Sequence, residues 1–170
     1  MKKNTVIVKG IIKFDPKDVT KKHGNQSVWK KTAMIMFGGE IAEYYAWFIK
    51  RRYNITLNKP LRRGHVTFIN DRASDMNGKW EEVKAKWHNK EFEVVIDLDP
   101  RTDSDDEGSK GHWWFKVPEE DRTGLHDIRA ELGLGRPFFG LHMSLGHANE
   151  KNMEHSKYIH RLIKGGFIKY

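Results

Sequence analysis

Two short apolar runs in this chain alternate in the same way. GHVTFIN covers residues 64–70 and FGLHMSLGH covers 139–147, and each sets polar side chains between apolar ones. A period of two marks a strand with one face on a core and the other turned away from it. In the first run Val66 and Phe68 share a face, and His65 and Thr67 share the other. In the second, Met143 and Leu145 oppose His142 and Ser144. Each run follows a segment with helical periodicity, EIAEYYAWFIKRRYN (40–54) before the first and EEDRTGLHDIRAELG (119–133) before the second. The order helix, then histidine strand, thus occurs twice, with His142 77 positions after His65. The expected class is α+β, with two lobes related by a pseudo-twofold.

The remaining elements follow from the same periodicities. TVIVKGIIKF (5–14), TAMIMF (32–37), EFEVVIDL (91–98) and GHWWFKV (111–117) read as strands, the first bulged at Gly10. GKWEEVKAKWHNK (78–90) reads as a helix with Trp80, Val83 and Trp87 on one stripe, and EKNMEHSKYIHRLIK (150–164) as a last helix before GGFIKY. In helix 40–54 the stripe is Ile41, Tyr44, Tyr45, Phe48 and Ile49; glutamates come early and Lys50, Arg51 and Arg52 late, which suits the helix dipole. In HWWFKV, Trp113, Phe115 and Val117 form a natural core face, while His112, Trp114 and Lys116 share the opposite one. The 170 residues are expected to form a single two-lobed domain.

Composition narrows the chemistry. There is no cysteine, so disulfides and thiolate metal sites are excluded. No apolar run approaches the ~20 residues that span a bilayer, and the N-terminal apolar stretch is too short for a secretory signal. A cytoplasmic location without membrane contact is expected. The net charge is +8, but residues 97–107 hold six acids against one arginine, which leaves +13 on the rest of the chain. A basic body of this kind favours a polyanionic partner such as nucleic acid, nucleotide or phosphate.

Two imidazoles and two hydroxyls gathered at one spot suit phosphodiester chemistry. In-line displacement at phosphorus needs a base on the attacking oxygen and an acid on the leaving oxygen. With an ordinary pKa of ~6.5, one imidazole can accept while another donates near neutral pH. The hydroxyls of Thr67 and Ser144 can donate to non-bridging phosphate oxygens, whose charge grows in the transition state. Nothing in this scheme calls for a metal or another cofactor.

The two phrases His65-Val66-Thr67 and His142-Met143-Ser144, each on an apolar strand, resemble the two-histidine (2H) phosphoesterase superfamily. The resemblance implies a bilobal, pseudo-symmetric fold whose antiparallel strands carry the motifs across a central groove. It implies His65 and His142 as the acid/base pair and Thr67 and Ser144 as phosphate binders, the serine standing where threonine is frequent. Family members cleave 2′,3′-cyclic phosphates, 2′–5′ linkages, RNA ends or cyclic oligonucleotides. EYYAWFIKRRYN, LNKPLRRGHVTFINDR and LGRPFFGLHMSLGHAN are in addition similar to a phage group that includes the anti-CBASS phosphodiesterase. That group destroys cyclic di- and trinucleotide immune signals without a metal, so the expected substrate is a cyclic di- or oligonucleotide, with weak RNA binding beside it.

Other candidates carry alternatives. Trp114 either stacks a base or packs under loops, and Arg62, Arg63 and Arg136 either steer an anionic substrate or are solvated surface charge. Tyr170 and Phe167 in the tail form a last strand or close over the groove as a lid. A zinc site from His142, His147 and His155 is disfavoured, because residues 142 and 147 fall on opposite faces by parity. The acidic stretch 99–107 reads as a solvated loop. Two rival functions stay open: an RNA-end or 2′,3′-cyclic-phosphate phosphoesterase, and a basic RNA-binding protein whose histidines are structural.

Overall fold

The computed structural model describes residues 4–16, 30–60, 62, 64–71, 74–102, 111–137 and 140–148. In chain order its elements are β1 (Thr5–Phe14), β2 (Ala33–Met36), α1 (Glu40–Tyr53), β3 (Leu57–Asn58) and β4 (His65–Ile69), then α2 (Trp80–Trp87), β5 (Glu91–Thr102), β6 (His112–Lys116), α3 (Thr123–Glu131) and β7 (His142–Ala148). The class is α+β. The expected helix 78–90 is α-helical only over α2, after a 3-10 turn at Met76–Gly78. The segment from Glu119 also begins as a 3-10 turn, and α3 starts at Thr123. β5 outruns its expected end by four residues, through Pro100. It can do so because its register against β6 breaks between Asp97 and Arg101, so no ladder hydrogen bond is asked of the proline. Gly10 carries no bulge in the β1–β5 ladder, which runs through it opposite Phe92 without a shift. The expected helix 150–164, the GGFIKY tail and residues 103–107 of the acidic stretch lie outside the described residues.

Every strand pairing is antiparallel. The strands run β3-β7-β4-β2-β1-β5-β6, and a further pairing of β6 with β7 closes six of them into a barrel-like ring. β6 occupies one edge of β7, so β4, paired at Met143, and β3, paired at His147 and Ala148, share its other edge. With the two-residue β3 set aside, the order β1-β2-α1-β4 is matched by β5-β6-α3-β7, a β-β-α-β order in each half of the chain.

The helices cover one face of the sheet. Ala42 and Ile49 of α1, Val83 of α2 and Leu125 and Ile128 of α3 belong to one core cluster with Ile12, Ile35, Val66, Phe68, Val94, Ile96, Trp113, Phe115, Met143 and Leu145. The last eight of these strand positions are the apolar alternates, and burying each such side chain is worth roughly 1.5–3 kcal/mol. The stripe expected on α1 holds except at Tyr44, which is 57% exposed. No helix among the described residues is long and apolar enough to cross a membrane.

Two local features hold the first histidine strand. Arg129 of α3 is 2% exposed and donates to both carboxylate oxygens of Asp71, at 2.7 and 3.1 Å, and to the Phe68 carbonyl at 2.7 Å. This pair ties α3 to the end of β4, and the Arg129 guanidinium holds the Asp71 carboxyl below its ordinary range. At the other end, Gly64 has φ +53° and its carbonyl accepts from the Phe37 amide at 2.7 Å. A Cβ there would run into the carbonyl oxygens of Phe37 and Gly38. Gly64→Ala is therefore expected to cost about 1–3 kcal/mol through the left-handed backbone alone. The check is urea denaturation, in which a wild-type midpoint for the variant would count against this account of the β4 entry.

Candidate functional site

The two histidine strands lie side by side, and their register is set by one pair: Val66 sits opposite Met143. In an antiparallel ladder, one step either way puts His65 beside Ser144 and Thr67 beside His142. The two histidines are then diagonal neighbours, about 7–8 Å apart at the backbone. All four side chains are partly buried on the face away from the helices, while Val66, Phe68, Met143 and Leu145 are almost fully buried on the helix side. The alternation read from the sequence is the one observed.

Both imidazoles are held in one tautomer by backbone carbonyls. His65 Nδ1 lies 2.9 Å from the Arg62 carbonyl oxygen and His142 Nδ1 lies 2.9 Å from that of Gly140. A carbonyl only accepts, so each Nδ1 carries the proton, and in the neutral ring Nε2 is left as an acceptor. Burial pulls His65 down to about 4; the charges of Arg62 and His142 act in the same direction, and the bond to the Arg62 carbonyl opposes them. His65 is thus a neutral base at pH 7.

The flanking strands make the two sides of this centre unlike. On β2, Met34 stands opposite Thr67 and Met36 opposite His65. On β6, Trp114 stands opposite Ser144 and Lys116 opposite His142. One side is therefore thioether, the other aromatic and cationic. Trp114 is partly buried within the cluster rather than free at its rim: its ring stacks on His112 at 5.1 Å and meets His142 edge-on at 6.4 Å. His112, which sequence reasoning placed on this face without a role, brings its Nε2 to 3.0 Å from Ser144 Oγ. Burial, and after it the charges of His147 and His142, lower His112 to about 4.

The parity argument about His147 fails. A register shift in the β6–β7 ladder and a Gly146 φ of +148° turn His147 onto the histidine face, where its ring stacks on His112 at 4.6 Å. A side chain at 146 would collide with the Asn58 carbonyl, so the bulge and the passage of β3 depend on glycine there. A glycine inside a strand pattern is the signal that could have revealed this. Among the described residues, no three His, Asp or Glu side chains are grouped so as to hold a metal ion.

Arg62 does not stand at the surface as a steering charge. It is 5% exposed, donates to the Pro16 carbonyl at 3.2 Å, and offers the site its own carbonyl and its positive field. Arg136 is exposed and paired with Glu119 at 3.1 Å. Within the acidic stretch, Asp97 and Arg101 pair at 3.5 Å on β5. Tyr170, Phe167, Arg63 and His155 lie outside the described residues. No protein-family model, curated protein or solved structure matches this chain.

The lowered histidines link this site to stability. Between about pH 4 and the unfolded value of 6.5, the unfolded chain binds protons that folded His65 and His112 do not. Stability therefore rises with pH across that window and falls on acidification. Carboxylates and other histidines add slopes of their own, so the specific reading is a difference. His65→Gln and His112→Gln should each flatten the plot of unfolding free energy against pH between 4.5 and 6.5, relative to wild type, by up to about one proton's worth of slope. Parallel profiles from denaturant melts would contradict the buried, neutral state of the two rings.

Proposed function

We propose that this chain is a metal-independent phosphodiesterase of the two-histidine type, cleaving 3′–5′ bonds of cyclic di- or oligonucleotides, as in phage counter-defence. The observation that carries the reading is the pairing of Val66 with Met143. The local twofold axis of an antiparallel pair centred there carries His65 onto His142 and Thr67 onto Ser144. The flanking registers support the same axis, since Met34, Ile35 and Met36 correspond to Trp114, Phe115 and Lys116. Together with the recurring β-β-α-β order, these correspondences favour the two-lobed, pseudo-twofold architecture that the motif resemblance implies.

The chemistry follows from which nitrogens are free. His65, neutral and with Nε2 open, takes the proton of a ribose 2′-OH. The 2′ oxygen attacks phosphorus, the bond to the 5′ oxygen breaks, and His142, entering the step as the imidazolium with both ring nitrogens protonated, gives its Nε2 proton to that oxygen. The products are a 2′,3′-cyclic phosphate and a 5′-hydroxyl. The hydroxyls of Thr67 and Ser144 donate to the non-bridging oxygens, where negative charge accumulates. Lys116, opposite His142 in the ladder, adds positive charge on the same side. The β6 side, with Trp114 among its residues, offers a base an aromatic surface worth ~1–3 kcal/mol per stacked base.

The deciding assay incubates the protein with a panel of cyclic dinucleotides and trinucleotides and linear RNA in excess EDTA, followed by chromatography. Cleavage of a cyclic substrate is expected, and His65→Ala and His142→Ala should each lower turnover by ~10² or more with the fold intact. Near wild-type rates in both variants, or activity that EDTA abolishes and Zn²⁺ or Mn²⁺ restores, would refute the mechanism. Long RNA cut faster than every cyclic substrate would move the protein to RNA processing.

The pH profile gives a second check. With His65 as base at about 4, the acid limb of kcat/KM should fall near pH 4, well below the ordinary histidine value of 6.5. An acid limb at 6.5 or above would be inconsistent with His65 as the general base.

A further inference from the structure

Ser144 has one proton and two demands on it. Its Oγ lies 3.0 Å from His112 Nε2, and one of the two atoms donates to the other. If the serine donates to the imidazole, its proton is spent and only lone pairs remain to face a phosphate oxygen. If Nε2–H donates to Oγ, the serine proton is free to point elsewhere. Thr67, the matching hydroxyl on β4, faces Met34, whose thioether has no hydrogen to give. The two hydroxyls of the site are thus governed differently.

We infer that His112 is a positioning residue that donates from Nε2 to Ser144 Oγ and so turns the serine proton toward a non-bridging phosphate oxygen. This rests on the phosphodiesterase reading of the site. The His112 ring is held in place for such a bond. It packs against Trp114 at 5.1 Å and 29° and against His147 at 4.6 Å and 19°, and meets His142 at 5.6 Å, so its plane and its reach to Ser144 are set by three rings. The charges acting on it are those of His147 and His142, both of which disfavour a second proton on the ring. A neutral imidazole has a single N–H, and placing it on Nε2 makes His112 the opposite tautomer to His65 and His142.

Two measurements test this. The first needs no substrate. In protein labelled with 15N-histidine, two-bond nitrogen–proton spectra at pH 7 report which ring nitrogen carries the proton, with each ring assigned by its His→Gln variant. The expected result is Nε2–H for His112 and Nδ1–H for His65 and His142. An Nδ1–H tautomer at His112 overturns the inference whatever the enzyme acts on.

The second is a double-mutant cycle on the cyclic substrate. Ser144→Ala is expected to cost about 10²-fold in kcat, and His112→Ala about tenfold or more, with the double variant no worse than Ser144→Ala. His112→Gln, whose amide N–H₂ reaches the place of Nε2, should recover most of the loss. A role confined to packing would not be rescued this way and would persist in the Ser144→Ala background. Additive losses, or a wild-type rate in His112→Ala, defeat the inference while leaving the phosphodiesterase reading intact. That reading fails separately if His65→Ala and His142→Ala retain activity.

Discussion

The contact on which everything else turns is the pairing of Val66 with Met143. It joins the two halves of the chain along β4 and β7, and with the β6–β7 and β1–β5 ladders it closes the ring. It also sets the site. Strand side chains alternate with a strict period of two, so a slip of one residue on either strand would send its histidine to the helix side and an apolar residue to the site. The register is held by what lies beneath it: Val66, Phe68, Met143 and Leu145 are each at most 1% exposed against the helices. Hydrophobic burial on one face thereby specifies polar geometry on the other.

Around that contact, the two histidine strands share one feature and differ in their neighbours. Both histidines give Nδ1–H to a backbone carbonyl a few residues upstream, so both present Nε2. The neighbours differ. The β2 side offers Met34, fully buried, and Met36, while the β6 side offers Trp114, Lys116 and, one step along, the stacked pair His112 and His147. The unlike walls thereby distinguish the surroundings of the two histidines. The depression of His65 by burial and by nearby positive charge is one such distinction.

Much of this was legible one strand at a time. The faces of β4 and β6, and of β7 as far as Leu145, followed from alternation, and the core residues Trp113, Phe115, Val117, Leu125, Ile128 and Leu132 are all fully buried. The pair His65 and His142 could be singled out because a histidine, an apolar residue and a hydroxyl recur in matching contexts. Arg62 misled because a charge next to a histidine strand reads as surface, whereas here the guanidinium is buried against the Pro16 carbonyl, a contact 46 residues away in the chain. His147 misled because parity counts residues and a bulge adds one.

The sequence by itself determined the alternating faces, the helical stripes and the identity of the two repeated phrases, because these are consequences of side-chain spacing along a single element. Tertiary structure alone decided that β4 lies against β7 in that register and that β6 rather than another strand brings His112 to Ser144. Those facts depend on pairing between residues tens of positions apart. They are selected by how the apolar faces close on one another, a property of the assembled sheet that no local pattern encodes.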